Sequence, residues 1–302
     1  MDFQTMVGLQ LMLFLLILAG VYAQKRGILN EQAQKMLSDL LIGVILPCNI
    51  VSSFHIELTP RLLYESGLVL VVAFGAQVLF LLFSRIFYFK TERRRQMVLR
   101  YATICSNAGF LGLPLAGSIF GAEGTLYASI ALIPLRVFMW SSGLSLFTKT
   151  SAKSTFKTLI THPCIIAVFV GFGVLFMPWE LPTFLAKAVD SIGGCTIPVS
   201  MIIIGSILAG VNIKKVVSFV SLYFSFIRLI LIPVALYGIL VLLPVPPLVT
   251  GVTVLLAAMP AGSTTAILAA RYDGDAEFAS ALVFVSTLLS LVTIPLLAFA
   301  LF

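Results

Sequence analysis

The sequence is short of charge. Asp, Glu, Lys and Arg together make up 10% of its 302 residues, while 60% are hydrophobic. A soluble domain of this length is not built that way, and the composition is that of a polytopic membrane protein. Histidine is scarce too, with only His55 and His162. Both fall at the edges of apolar stretches and read as interfacial polar residues rather than proton switches. No HExxH or GxSxG pattern occurs, and no two carboxylates fall within reach of each other inside the apolar spans. A membrane enzyme needs such a nucleophile, base or metal cluster. The pattern therefore implies no catalytic residue, no metal and no cofactor.

The four cysteines, Cys48, Cys105, Cys164 and Cys195, lack CxxC or metal spacing and read as buried free thiols. The N-terminus MDFQTMVG has no basic stretch before its apolar run, so a cleaved signal peptide is not expected. The net charge of +7 does not point to nucleic acid. The basic residues are spread over short loops instead of one face of a domain.

What the sequence does have is apolar runs. Ten spans are expected, near 7–23, 37–54, 66–87, 98–121, 124–147, 162–178, 183–209, 216–243, 247–270 and 277–301. Lys and Arg alternate between the connecting loops. Lys25, Arg26 and Lys35 follow the first span; Lys90, Arg93, Arg94, Arg95 and Arg100 follow the third. Lys149, Lys153 and Lys157 follow the fifth, Lys214 and Lys215 the seventh, and Arg271 the ninth. The opposite loops carry Arg61 and Lys187. By the positive-inside rule the odd-numbered spans end in the cytoplasm, and both termini lie outside it. The run KTERRRQ then reads as a cytoplasmic anchor.

Five spans fill residues 1–150 and five fill 151–302, so the two halves have opposite orientations, as in an inverted repeat. Weak internal similarity supports this. ILPCNI in the second span pairs with CTIPVSM in the seventh, and FGAEGTLYAS after the fourth pairs with YDGDAEFAS after the ninth. That alignment lays SNAGFLGLP over AMPAGSTTA. Both stretches hold Pro and Gly, which are poor residues for a helix interior. Broken helices expose backbone polar groups at mid-membrane and persist only where protein or a water-filled cavity satisfies them. Half-helix N-termini at such a break attract anions. Together these features read as a secondary transporter.

Arg136 and Arg228 are the strongly basic residues placed well within spans. Each either offsets substrate charge or contacts helix carbonyls. Asp190 lies in the outer part of the seventh span and Asp39 starts the second, so no carboxylate pair sits at the crossing. This favours a uniporter or exchanger over a cation-coupled carrier. GSIFG is a GxxxG that allows close helix crossing, and YDGD reads as a loop segment.

SNAGFLGLPL resembles the N-T-x-x-x-G-x-P-L segment of the auxin efflux carrier family. MPAGSTTAILAARYDGD resembles the family's second signature, and TIPVSMIIIGSIL and VSTLLSLVTIPLL are similar to two further segments. The resemblance spans the whole chain. It implies an all-α membrane protein of ten transmembrane helices, a 5+5 inverted repeat with broken crossing helices four and nine. That fold is similar to those of bile-acid transporters and sodium/proton antiporters. It also implies a scaffold of spans 1, 2, 6 and 7, dimeric in relatives, and a moving transport domain of spans 3–5 and 8–10. The implied activity is export or exchange of organic anions, such as malate, malonate or an auxin-like acid, across the plasma membrane.

The resemblance places Asn107 where the family holds the substrate carboxylate, Pro114 at the fourth-span crossing and Pro260 at the ninth. Gly109 and Gly262 flank these positions. Plant relatives carry a second proline where this chain has Thr265, so Ser263, Thr264 and Thr265 offer hydroxyl donors instead. The implied partners are a small organic anion, the bilayer and a second copy of the chain, with no nucleic acid. Two other readings stay open: a sodium- or proton-coupled symporter of bile-acid-transporter type, and a membrane sensor using the carrier fold.

Overall fold

The computed structural model describes residues 3–54, 59–89, 91–147, 153, 156–157, 160–176, 181–209, 217–262, 264–272 and 274–301. His55, Ser263, Lys90, Lys149, Lys214 and Lys215 lie outside the described residues. The described chain is all helical apart from one isolated β-bridge, between Ser106 and Ala261.

In chain order the helices are α1 (Phe3–Lys25), α2 (Glu31–Ser52), α3 (Pro60–Phe87), α4 (Arg93–Ile104), α5 (Ala108–Leu146) and α6 (Pro163–Leu175). They continue with α7 (Thr183–Gly194), α8 (Thr196–Ala209), α9 (Phe219–Val241), α10 (Pro247–Ala257), α11 (Thr264–Arg271) and α12 (Ala276–Leu301). Local chemistry sets several starts. Thr59 accepts a hydrogen bond from the Leu62 amide at 3.1 Å, with Pro60 as the first helical residue. Ser218 and Ser221 cap α9 reciprocally. Proline opens α6 and α10 as well, where its missing N–H leaves no bond unmade.

Six continuous helical stretches among the described residues are long and apolar enough to cross a membrane. Three shorter apolar helical stretches accompany them, at Phe14–Lys25, Pro163–Val174 and Pro247–Ala257. The expected fourth and ninth spans are not continuous helices. The first is split between α4 and α5, the second between α10 and α11. Helix α5 in turn runs through both the end of the expected fourth span and the fifth. It is interrupted at Gly121, where φ is 69° and ψ is −154°. That region is open almost only to glycine, so the chain bends there.

The packing forms two groups. In one, α1 packs on α8, while α2 packs on α6 and α7. In the other, α3 packs on α4 and α5, α10 on α5 and α9, and α12 on α4, α9 and α11. Helix α5 also touches α2, α6 and α8, linking the groups. Large apolar side chains face outward, among them Leu15, Phe74, Phe169, Val234 and Leu296. Small hydroxyls such as Ser84, Ser200, Ser206, Ser221 and Ser290 are fully buried. This inversion is what a lipid solvent selects, since small residues let helices approach closely.

The α1–α8 contact rests on two glycines. A Cβ on Gly20 would stand 2.1 Å from the Ile202 carbonyl oxygen, and one on Gly205 would stand 2.0 Å from that of Ile17. Gly205→Ala therefore forces the two helices apart. We expect a loss of about 1–3 kcal/mol, the usual cost of overpacking, read as a lower melting temperature of the detergent-solubilised protein. An unchanged melting temperature would show that this contact does not set the helix spacing.

At the α11–α12 turn, Asp275 accepts from the Phe278 amide and from Arg95 Nε, each at 3.0 Å. Burial pushes this carboxyl up, but the Phe278 N–H and the Arg95 and Arg94 charges outweigh it and hold it below the ordinary aspartate value. Its folded pKa is depressed, so its stabilisation is present above the unfolded value of about 3.9. It is lost as pH falls through the folded pKa. Melting curves of Asp275→Asn and wild type should accordingly differ at pH 7 and converge in acid.

Candidate functional site

The two helix interruptions meet. The Asn107 amide donates to the Pro260 carbonyl at 2.7 Å, and the Gly262 amide donates to the Cys105 carbonyl at 3.0 Å. These bonds frame the Ser106–Ala261 bridge. Each break thus satisfies backbone groups of the other, as mid-membrane backbone must be satisfied. Gly262 suits the close approach, since an added Cβ would lie 3.2 Å from the Cys105 oxygen and 3.3 Å from that of Ser106, and the neighbours would have to give by a few tenths of an ångström. Ser286 completes the frame, its hydroxyl accepting from the Ala261 amide at 3.2 Å.

Four helix ends converge here. Helices α4 and α10 arrive with their C-terminal, partially negative ends; α5 and α11 leave with their N-terminal, partially positive ends. Arg228 serves both negative ends at once. Its Nε donates to the Met259 carbonyl and its Nη1 to the Thr103 carbonyl, each at 3.1 Å. The side chain is 1% exposed and lies over the Phe80 ring, 5.3 Å from its centroid. Of the two expectations for Arg228, the geometry carries the contact to helix carbonyls.

Among the described residues the positive ends have no comparable partner. The half-buried Asn107 side-chain amide has no hydrogen-bond partner among the described residues. Thr265, in the first turn of α11, is fully buried, and its hydroxyl has no partner. Thr264 beside it is half-buried. Gly109, one residue into α5, faces Arg136, whose Nη2 stands 3.8 Å from where a Cβ would be. Arg136 is itself buried.

His162 caps the N-terminus of α6 and is half-buried. Its Nε2 lies 2.5 Å from Arg136 Nη1, and its Nδ1 lies 3.2 Å from the Cys164 amide. A neutral imidazole has one acceptor nitrogen, so it satisfies one of these two donors at a time. This pairing could not be read from the sequence, because 26 residues separate the partners.

Pro114 lies further along α5 than Gly109. It lines a cavity of about 310 Å³ between α2, α5, α7 and α8, together with Asn49, Ser52, Gly121, Thr125 and Thr196. No charged side chain lines it. The Thr196 hydroxyl, at the start of α8, is buried and unpartnered. Among the described residues no group of three His, Cys, Asp or Glu could hold a metal ion.

The profile of the membrane transport protein family, the family of the auxin efflux carriers, matches residues 5–157 and again residues 147–298. The chain belongs to this family. It is similar to an uncharacterized transporter of Methanothermobacter thermautotrophicus, 30% identical over 294 residues and covering 95% of each chain. It is also similar to an uncharacterized transporter of Methanocaldococcus jannaschii, 25% identical over 297 residues, 95% of this chain and 96% of the relative. With the apolar helices, the family makes this a multi-pass membrane protein of transporter type.

The Arg228 geometry yields a stability test. Arg228→Met leaves the Thr103 and Met259 carbonyls without their donor, at a cost of about 1–3 kcal/mol for each unsatisfied group. Arg228→Lys keeps the charge and loses the fork. Thermal unfolding should rank wild type above Lys and Lys above Met; equal stability of all three would remove Arg228 from the crossing's support.

Proposed function

We propose that the chain is a secondary transporter of small organic anions, probed here as malate, malonate and indole-3-acetate, working by alternating access. The observation that carries this reading is the charge balance at the crossing. Arg228 offsets the two negative helix ends, and among the described residues no charged side chain bonds to the two positive ends. The buried charged side chains among the described residues are Glu65, Arg136 and Arg228. Glu65 is spoken for, paired with Arg61 at 3.1 Å and accepting from Tyr127 at 2.8 Å. Neither buried arginine has a carboxylate partner among the described residues. Arg228 already bonds to two helix carbonyls, so the buried charge that a transported carboxylate would partner is that of Arg136.

In this reading Asn107 and the hydroxyls of Ser263, Thr264 and Thr265 bind the carboxylate at the half-helix N-termini. Gly109, Pro260 and Gly262 shape the backbone there. Arg136 adds charge from beside Gly109, and the cavity at Pro114 is the approach. A volume of about 310 Å³ is at the lower end of small-molecule sites.

The architecture of the reading is a ten-span 5+5 inverted repeat. Helix α5 supports it, because 39 residues at 1.5 Å each measure about 58 Å, nearly twice a hydrocarbon core of about 30 Å. Turning at Gly121, α5 supplies the second half of span four and all of span five. The group of α1, α2, α6, α7 and α8 serves as a scaffold and dimer seam, and the other group moves. Both termini face away from the cytoplasm of a plasma-membrane carrier.

The test is uptake of labelled malate, malonate and indole-3-acetate into proteoliposomes, for wild type beside Asn107→Ala. Saturable flux of one anion, cut at least tenfold by the substitution, is expected. Equal flux in the variant would move the site away from the crossing. Absence of flux with all anions, while a cation or neutral solute is carried, would overturn the anion reading.

A further inference from the structure

A second, smaller cavity of about 20 Å³ lies where α3, the α4–α5 break and α10 meet. Every residue that lines it is buried. Three of them bring polar oxygens without any hydrogen-bond partner: Gln77 Oε1 from α3, Ser106 Oγ from the break and Thr253 Oγ1 from α10. The remaining wall is apolar, with Phe80, Leu135 and Leu256 among its residues. Unpartnered polar atoms are rare in protein interiors. Three on one small void, beside unwound backbone, call for a shared ligand.

We infer that this cavity binds one water molecule, held by Gln77, Ser106 and Thr253. Size is the first argument. A single water needs at least about 10–15 Å³, and buried waters make about three hydrogen bonds. Donor balance is the second. The two hydroxyls donate to the water oxygen, and the water donates to the Gln77 carbonyl oxygen. Charge is the third, and it decides against a metal cation. Hard cations take six or more oxygens, and this cavity offers three side-chain oxygens, none of them charged. Phe80 forms one wall, and the Arg228 guanidinium stands 5.3 Å from the centre of its ring. That positive charge repels a cation and leaves a neutral ligand unaffected.

The water ties three elements that share no direct hydrogen bond at this point. Ser106 is a partner in the bridge that joins the two interruptions. Hydration of its side chain therefore fastens the crossing to α3 and α10 through an exchangeable joint rather than a fixed contact. The inference rests on this cavity alone and is independent of which solute the protein carries.

The experiment uses the full chain in nanodiscs. Radiolytic footprinting in 18O-labelled water reports slowly exchanging buried water by oxidation of the side chains around it. We expect slow 18O incorporation at Phe80 and Leu135 in the wild type and its loss in Thr253→Val. We also expect Thr253→Val to lower the melting temperature by a few degrees, since loss of the water leaves the Gln77 and Ser106 oxygens buried without a partner. An empty cavity gives the opposite signs. The wild type shows no label, and Thr253→Val raises the melting temperature by removing an unsatisfied hydroxyl. A melting temperature that rises with sodium in wild type and not in Thr253→Val overturns water as the occupant in favour of a cation. If the variant fails to fold, wild-type labelling with and without sodium decides alone.

Discussion

The structure depends on satisfying backbone groups in the middle of an apolar protein. Two helices stop where lipid offers no hydrogen-bond partners, and each supplies what the other lacks. Asn107 bonds to Pro260, Gly262 bonds to Cys105, and Arg228 reaches the carbonyls at both C-terminal ends. Without this mutual satisfaction each free group would cost several kcal/mol. The close approach of Gly262 and the buried position of Arg228 follow from this constraint.

The same arrangement sets the electrostatics. A cation that bonds to two negative helix ends neutralises them and nothing else. Among the described residues the ends of opposite sign carry an asparagine amide without a partner at one and a buried threonine hydroxyl at the other. Arg136 adds a second buried positive charge beside Gly109. In the proposed reading, a site assembled this way attracts an anion through helix ends and a buried arginine. Its donors are fixed in the backbone, so little reorganisation is needed when the ligand arrives.

In the proposed reading, motion has a place in this architecture. The two packing groups are internally close, and α5 is the main link between them. In the α1–α8 pair backbone meets backbone through Gly20 and Gly205, which suits a rigid frame. The larger cavity opens at the Gly121 bend, where two arms of one helix diverge. A crossing fastened partly through water can adjust its contacts at low cost, because a water-mediated bond is nearly as good as a direct one.

The sequence by itself determined the membrane class, the positions of both interruptions and the polar residues at them. Long apolar runs admit one solvent, and clustered Pro and Gly within such runs weaken the helix and mark where it can stop. It also marked Asn107, Pro260 and Gly262 as neighbours in space, through the resemblance to one family. What only the tertiary structure decided is how side chains distant in the chain divide the work. Arg136 and Arg228 look alike in sequence, as lone cations in apolar spans. In the fold one bonds to two helix ends 31 and 125 residues away, and the other meets His162. Gln77 gave no sign of its place beside the crossing. Periodicity and composition report the solvent that a helix faces, whereas such pairings depend on which helices pack together and in what register.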